Sequence, residues 1–169
     1  MWELFGCFEV KARVNESTGN RLSVEYASGV TTTTTSDFAD RPATLDATLP
    51  GLGATPIVTA TRYLPSGPID SLTLGNGIVE TREHDQRYHP VRIAAGPAAG
   101  PNALDWQFTT DPVGNITSIT DAVTPANSRT YGYLDHQYFL TQGDGPWGMR
   151  AWTYDAIGNR LTENARSGH

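Results

Sequence analysis

The sequence predicts an all-β protein that is built from repeated antiparallel hairpins and contains little or no helix. The first observation behind this prediction is alternation, since Trp152 and Tyr154 share one face of an extended segment while their neighbours point the other way. The second is a short turn string that follows such segments repeatedly. The third is that apolar residues show no 3.6-residue period over any window long enough for a helix.

The clearest copy of the turn string is Asp155-Ala-Ile-Gly158-Asn159, which stands between a strand that ends at Tyr154 and another that begins at Arg160. An aspartate carboxylate at the start of a turn accepts hydrogen bonds from backbone amides two residues further on. Glycine adopts a positive φ without steric cost, and asparagine is one of the few other residues that tolerate it. The string therefore predicts a strand, a tight reversal and a second strand.

Degenerate copies of the string are spread along the chain, each with an acidic anchor except one. They follow one another at about 20 to 26 residues, a period typical of repeat arrays. The copy without an acid lies around Tyr63 to Gly67, and Asp40 and Tyr88 stand at the glycine position of their copies. The predicted turn residues are Glu16, Gly19, Asp37, Asp85, Asp111, Gly114, Asn115, Asp135, Asp155, Gly158 and Asn159.

Local patterns predict the elements of the first half. The segment up to Val14 alternates and is predicted to be a strand. Residues 22–35 are predicted to form a hairpin with its turn at Ser28-Gly29, because β-branched threonine suits a half-exposed pleated surface. Residues 45–56 are predicted to be a loop, since glycine and proline interrupt them, and residues 57–63 a strand.

The second half is predicted in the same way. Residues 71–82 predict a hairpin, with a strong turn signal at Gly75-Asn76-Gly77. Residues 96–102 predict a loop rich in glycine and proline, residues 116–120 a strand, and residues 122–128 a connection. Tyr131 and Tyr133 share a face of the next strand, and residues 143–146 turn the chain into the last repeat.

The repeats resemble those of the Rhs/YD-repeat family. The pair Tyr154-Asp155, followed by Gly158-Asn159 and Arg160-Leu161, matches the repeat, and residues 63–77 are similar to the inter-repeat segment of bacterial members. The resemblance extends from about Val10 to Thr162. It implies a curled antiparallel β-strip that forms part of the wall of a hollow shell.

The same resemblance implies a function and partners. We expect a non-enzymatic structural segment of a shell that encapsulates a C-terminal toxin or effector polypeptide. Its partners would be other repeats of the same or a longer chain, together with the enclosed polypeptide. The resemblance also implies a secreted or cell-surface location, although the residues after Met1 show no signal peptide.

Composition limits the alternatives. The 169 residues allow one domain, which we expect to be a fragment of a longer polypeptide. A net charge of −6 without a basic cluster argues against nucleic acid and anionic membranes as partners. No apolar run approaches the length of about 20 residues that a membrane span needs. An apolar fraction of 38% fits a thin layer better than a deep core.

The aromatic residues beside the turns offer an alternative function. A row of aromatic faces is suited to stacking on sugars, which would make the chain a cell-surface carbohydrate- or protein-binding module. Cross-strand aromatic packing explains the same pattern without a ligand. The residues concerned are Trp106, Tyr131, Tyr133, Trp152 and Tyr154.

The sequence predicts no catalytic residue, no cofactor and no metal. Each predicted turn supplies one carboxylate, whereas calcium needs several oxygens and glycoside hydrolysis needs a close pair of acids. Turn capping therefore explains the acids best, and Cys7 has no partner cysteine. Asp111-Pro112-Val113-Gly114 resembles the self-cleavage boundary of toxin-type Rhs proteins. Asn115 replaces the apolar residue of that boundary, so an ordinary repeat turn is expected.

Overall fold

The computed structural model describes residues 10–166, and the side chains of residues 10–164. Cys7 and the first part of the predicted N-terminal strand lie outside this range. Within it the chain forms fourteen strands and a single 3-10 turn at Pro125–Asn127. The strands are β1 (Lys11–Val14), β2 (Arg21–Glu25), β3 (Thr31–Ser36), β4 (Pro42–Thr48), β5 (Ala54–Tyr63), β6 (Ile69–Leu74), β7 (Ile78–His84), β8 (Pro90–Pro97), β9 (Leu104–Thr110), β10 (Ile116–Asp121), β11 (Arg129–Tyr133), β12 (Leu140–Asp144), β13 (Met149–Tyr154) and β14 (Arg160–Arg166).

The strands form one antiparallel sheet whose order is the order of the chain. Every connection is therefore a hairpin or a short loop between neighbours, which confirms the predicted all-β hairpin strip. Two compact units divide the chain, one up to Glu80 and one from Thr81, and each is described by itself below. No helix in the described part of the chain is long and apolar enough to cross a membrane.

One predicted element is wrong. The loop expected over residues 45–56 is mostly strand, because β4 extends to Thr48 and β5 begins at Ala54. Pro56 lies in β5 opposite Asp46, at a point where the register between the two strands shifts. Proline is tolerated at such irregularities since the ladder hydrogen bond it cannot donate is already interrupted. Cross-strand pairing thus overrides the local signal of glycine and proline.

A β-bulge marks the end of several hairpins. The second strand carries one extra residue directly after the turn, so that Tyr154 lies opposite Arg160 while Thr153 lies opposite Thr162, and Leu161 is left without a partner. The same register shift occurs between Gly132 and Tyr133 where β11 pairs with β12. It recurs in the pairs β1–β2, β3–β4, β5–β6 and β9–β10. Bulges bend the strand and strengthen its twist.

In each unit the sheet has two different faces. In the first unit, register aligns Thr34, Leu45 and Val58 on one face, while Thr35 and Thr44 lie on the other. We call the first the apolar face and the second the polar face. In the second unit the apolar face carries Ile93 and Trp106 in one row, and Phe108 and Ile119 in the next. Among the described apolar side chains, only Val24 and Ala94 are buried.

Candidate functional site

The candidate site is, in each unit, a row of turns at one end of the strands, most of them capped by an aspartate or asparagine side chain. In the first unit the row consists of the turns from β1 to β2, β3 to β4 and β5 to β6. In the second unit it consists of the turns from β7 to β8, β9 to β10, β11 to β12 and β13 to β14. We refer to these two sets as the turn rows.

The turn at Asp155 shows the bonding pattern in full. Its Oδ1 accepts hydrogen bonds from the amides of Ile157 at 3.0 Å and Asn159 at 2.8 Å. The Asp155 amide donates to the Asn159 carbonyl at 3.0 Å, and the Gly158 amide donates to the Asp155 carbonyl at 3.2 Å. Gly158 has a φ of 92°, where a side chain would be strained. One carboxylate oxygen therefore satisfies two amides that the reversal would otherwise leave unpaired.

The same pattern recurs at Asp37, Asp85 and Asp111. In each turn Oδ1 accepts from the amides two and four residues on, at distances of 2.8 to 3.1 Å. The fourth residue of each turn has a positive φ even where it is not glycine, with 60° at Asp40 and 64° at Tyr88. The aspartate at the first position of the motif and the positive φ at its fourth position thus remain constant, while the residues between them vary.

The second carboxylate oxygen binds the side chain of the residue four positions on. Asn115 and Asn159 donate their Nδ2 to the Oδ2 of their own aspartate at 2.8 Å. Arg41 does so with a guanidinium fork at 2.8 and 2.9 Å, and His89 Nδ1 lies 3.2 Å from Asp85 Oδ2. The asparagines were predicted from the sequence. Arg41 and His89 occupy the same position but were not predicted, because their side chains differ in chemistry from asparagine.

These contacts lower the pKa of the turn carboxyls. At Asp155 the Asn159 side chain is the main cause, and at Asp37 it is the Arg41 side chain. At Asp111 and Asp85 partial loss of solvent raises the pKa, but hydrogen bonds from Asn115 and His89 outweigh it, so the pKa is again lowered. The carboxylates are consequently ionised acceptors at neutral pH.

Two predicted anchors are displaced by one residue. At the first turn Asn15, not Glu16, is the anchor, with its Oδ1 accepting from the Ser17 amide at 2.9 Å. At the sixth turn the reversal is closed between Leu134 and Phe139, so Leu134, not Asp135, holds the anchor position. Both turns are one residue longer than the others, which moves the register of the motif. Gly19 keeps its positive φ of 73°.

The copy without an acid folds into the same backbone. The Leu64 amide donates to the Pro68 carbonyl at 2.8 Å, and the Gly67 amide donates to the Leu64 carbonyl at 3.0 Å. Gly67 has a φ of 117°. The backbone reversal therefore forms without the carboxylate. The residue four positions on is Pro68, which has no N–H, so only the Ser66 amide corresponds to the two amides that an aspartate caps elsewhere.

Neighbouring turns contact one another along each row. In the first unit Asn20 Nδ2 donates to the Asp40 carbonyl at 2.8 Å, and Arg41 donates to the Leu64 carbonyl at 3.3 Å. In the second unit Arg87 donates to the Pro112 carbonyl at 2.7 Å. Each bond joins residues that are 20 or more positions apart. The turns thus support each other across the sheet.

Two glycines of the second turn row allow ring packing between turns. A Cβ on Gly114 would lie 2.8 Å from His89 Nε2, and one on Gly158 would lie 2.7 Å from the Phe139 ring. Phe139 also lies 5.1 Å from the Tyr154 ring, measured between centroids. Glycine is therefore required at both positions for two reasons: the backbone has a positive φ, and a side chain of the preceding turn lies too close for a Cβ.

The proposed stacking aromatics are half-buried and have internal partners. Tyr133 and Tyr154 donate their hydroxyls to the carbonyls of Ile116 and Leu140, at 2.9 and 2.7 Å. Partial burial raises the pKa of Tyr133. Trp106 donates its Nε1 to Asp121 at 3.3 Å, and Arg129 lies 4.8 Å over its ring.

Trp152 and Tyr131 complete the aromatic group. A Cβ on Gly143 would lie 3.3 Å from the Trp152 ring and 3.7 Å from the Tyr131 ring, so both rings lie against this glycine. Each of these five rings is therefore half-buried and in contact with other groups of the sheet.

Sequence reasoning missed two buried acids. Asp105 is 8% exposed and holds Arg92 in a bidentate ion pair at 2.7 and 2.8 Å. Arg92 is the main cause of the lowered pKa of Asp105. Asp121 is 8% exposed, accepts the Thr124 amide at 2.8 Å, and has a pKa lowered chiefly by that bond. The only available signal was that Asp121 stands between the strand predicted over residues 116–120 and the connection predicted over residues 122–128.

The acids show no arrangement for a metal. Among the described residues, no three side chains of histidine, cysteine, aspartate and glutamate come together. Asp111, which precedes Pro112, has the same bonds as Asp155, and its Oδ1 is held by the amides of Val113 and Asn115. What the site does chemically is to cap backbone reversals.

Comparison with known proteins yields matches of structure only. No protein-family model and no curated protein sequence matches the chain. The fold is similar to a structure of the Photorhabdus luminescens Tc holotoxin pore that carries a TccC3 mutation, with a TM-score of 0.81 and 20% identity. It is also similar to TcdB2-TccC3, with a TM-score of 0.81 and 20% identity, and to TcdB2-TccC3-Cdc42, with a TM-score of 0.80 and 20% identity.

The alignments cover 92% of this chain but only 9% of each matched chain, so this chain spans about a tenth of the length of those structures. At this identity they show the fold and not the activity. The fold predicted from the Rhs/YD resemblance is confirmed by them.

Proposed function

We propose that this chain is a non-enzymatic structural segment of an Rhs-type shell, a curled β-strip whose wall encapsulates a C-terminal toxin or effector polypeptide. The observation that carries the proposal is the likeness of the fold to chains of a Tc holotoxin over 92% of the sequence. In this proposal residues 1–169 are one repeat domain, a fragment of a longer polypeptide. The location would be secreted or at the cell surface.

The two faces of the sheet support a wall. A free-standing sheet with an apolar face exposes surface that is stabilised by contact with another polypeptide. Side chains such as Leu45, Val58 and Trp106 are only half-buried in the strip itself. The polar face, with Thr33, Thr35 and Gln107, suits contact with water. In a wall, the apolar face would contact the enclosed polypeptide and the polar face would contact water.

The turn carboxylates support a structural rather than a chemical role. A general acid or nucleophile needs an oxygen free to approach a substrate. Both oxygens of Asp111 and Asp155 instead bind groups of their own turns. Their lowered pKa values are the consequence of that capping.

Carbohydrate binding has less support. Sugar recognition would use the hydrogen-bonding tips of tyrosine and tryptophan together with an exposed ring face. Tyr133, Tyr154 and Trp106 direct these tips to carbonyls or to Asp121. A glycan-binding screen with the 169-residue chain tests this alternative, and saturable binding that is lost in Trp152→Ala would favour it.

Limited proteolysis tests the shell. The longest natural polypeptide that contains these repeats is treated with protease, and survival of the segment downstream of the repeats is followed. We expect the segment to resist cleavage, and we expect the double variant Asp111→Ala/Asp155→Ala to lose this protection because two turns of the wall lose their caps.

The matched control is Phe38→Ser, since Phe38 is 98% exposed at the tip of a turn and its removal leaves the caps in place. Protection should be unchanged in this variant. A downstream segment that is cleaved as rapidly in the unaltered polypeptide as when expressed alone would refute encapsulation.

A further inference from the structure

The apolar face of the first unit contains a concavity that the shell proposal does not explain. It has a volume of about 380 Å³ and is lined by side chains of β3 to β6, among them Thr34, Leu45, Val58, Tyr63 and Leu72. Its volume falls in the range of about 300 to 1,000 Å³ in which proteins bind small ligands. Such sites are mostly apolar with a few polar groups, as this one is.

The small side chain of Thr34 accounts for the concavity in this part of the apolar face. Thr34 lies opposite Leu45, and Leu45 lies opposite Val58, so a short side chain begins this cross-strand row. In the second unit the apolar face carries large rings at Trp106 and Trp152. Threonine at position 34 keeps the β-branched shape that a strand favours but leaves the volume of a ring unfilled.

Tyr63 forms a rigid wall of the concavity. Its hydroxyl donates to the Pro42 carbonyl at 2.7 Å, and the Arg41 guanidinium lies 4.3 Å over its ring. Arg41 is itself held by Asp37 at 2.8 Å. A ring fixed in this way needs no reorganisation when a second ring packs against it, which reduces the entropic cost of binding.

The charge of the lining selects the ligand. The concavity is lined by threonine, proline, leucine, valine, isoleucine and tyrosine, and its lining contains no acidic or basic side chain. A charged group would lose its hydration there, and the guanidinium nearest to Tyr63, that of Arg41, is already paired with Asp37. An aromatic ring would gain burial and an edge or offset contact with Tyr63.

We propose that this concavity binds an uncharged aromatic side chain. That the side chain is delivered by an enclosed polypeptide rests on the function proposed above, whereas the chemical preference does not. The concavity is the place where the strip holds such a ring.

The test uses the 169-residue chain and N-acetyltryptophanamide as probe, with methyl NMR signals of Thr34, Leu45 and Leu72 as readout. We expect saturable shifts at these methyl groups. N-acetylglutamate at the same concentration should cause none, because its carboxylate cannot enter an uncharged site.

Thr34→Phe should weaken binding at least about tenfold, a change of about 1.4 kcal/mol, because the new ring occupies the concavity. The matched control is Thr33→Phe, which places the same ring on the polar face and should leave affinity unchanged. If Thr34→Phe fails to fold, Thr61→Phe blocks the same concavity from β5.

Shifts that do not saturate, or that are equal in Thr33→Phe and the blocked variant, would overturn the proposal. The proteolysis experiment is independent of this result, so failure of ring binding and failure of encapsulation can be told apart.

Discussion

At the scale of residues, the function of an acid depends on its place within the turn and not on its presence nearby. Asp155 and Asp135 both lie in the second turn row, and both stand beside a reversal in the sequence. Only Asp155 is at the anchor, where its Oδ1 accepts two amides. At the other turn Leu134 holds that place.

This difference predicts the outcome of two substitutions. Asp155→Ala should lower the urea midpoint of unfolding, because the amides of Ile157 and Asn159 lose their acceptor. Asp135→Ala should leave the midpoint unchanged, as is usual for exposed residues away from a cap. Circular dichroism during urea titration measures both. Equal effects of the two substitutions would mean that the carboxylate does not stabilise the turn.

The lowered pKa values of the turn carboxyls predict how stability depends on pH. A carboxyl whose pKa is lower in the folded than in the unfolded chain stabilises the fold above its unfolded value of about 3.9. This contribution is lost as the pH falls through the folded pKa. Asp155 should therefore contribute fully at neutral pH and lose its contribution in acid.

Asp155→Asn provides the measurement, since the amide keeps an oxygen acceptor but does not titrate. The difference in urea midpoint between the unaltered chain and this variant should be constant from pH 7 to about 5 and shrink below about 4. A difference that grows in acid would contradict the assigned direction of the pKa shift.

At the scale of elements, each hairpin is closed by local bonds but positioned by its neighbour. The Gly158 turn is formed by residues 155–159, yet the ring of Phe139 from the preceding turn lies 2.7 Å from the position that a Cβ of Gly158 would take. The requirement for glycine thus has two causes, the positive φ and the contact between turns.

A pair of glycine substitutions separates these causes. Gly19→Ala meets a φ of 73° with no heavy atom within 4 Å, so it should cost about 1 to 2 kcal/mol of unfolding free energy from backbone strain alone. Gly158→Ala adds a clash at 2.7 Å and should cost about 1 to 3 kcal/mol more. Urea unfolding of both variants measures the difference. Equal costs would show that Phe139 moves away freely.

At the scale of the whole molecule, the sheet is a one-dimensional array. Each strand pairs with its neighbours in the chain, and the core is distributed along the strip instead of being gathered at one place. In such arrays stability is approximately a sum of the units and their interfaces. Loss of one terminal hairpin should therefore leave the other hairpins folded.

Truncation after Trp147 tests this expectation by removing the hairpin of β13 and β14. The shortened chain should keep a β-sheet circular dichroism spectrum and unfold with a smaller dependence on urea, in proportion to the surface that is lost. Complete loss of β structure on removal of one hairpin would contradict a nearest-neighbour array.

Much of this architecture was predictable from the sequence because its determinants are local. Alternation identified strands, and glycine with an acid a few residues before it identified turns, since the bonds of Asp37 or Asp155 span five residues. Even the strained positions Asp40 and Tyr88 were located by alignment of the copies. The prediction of a loop over residues 45–56 was wrong because the pairing of β4 with β5 outweighs the glycines and prolines of this segment.

The sequence by itself thus determined the all-β hairpin array and the approximate place of its turns. Only the tertiary structure decided that Asn15 and Leu134 are anchors, that Arg41 and His89 share the role of Asn115, and that a concavity lies beside Tyr63. The physical reason is that these features depend on register, bulges and contacts between turns about 20 residues apart, which local pattern does not specify.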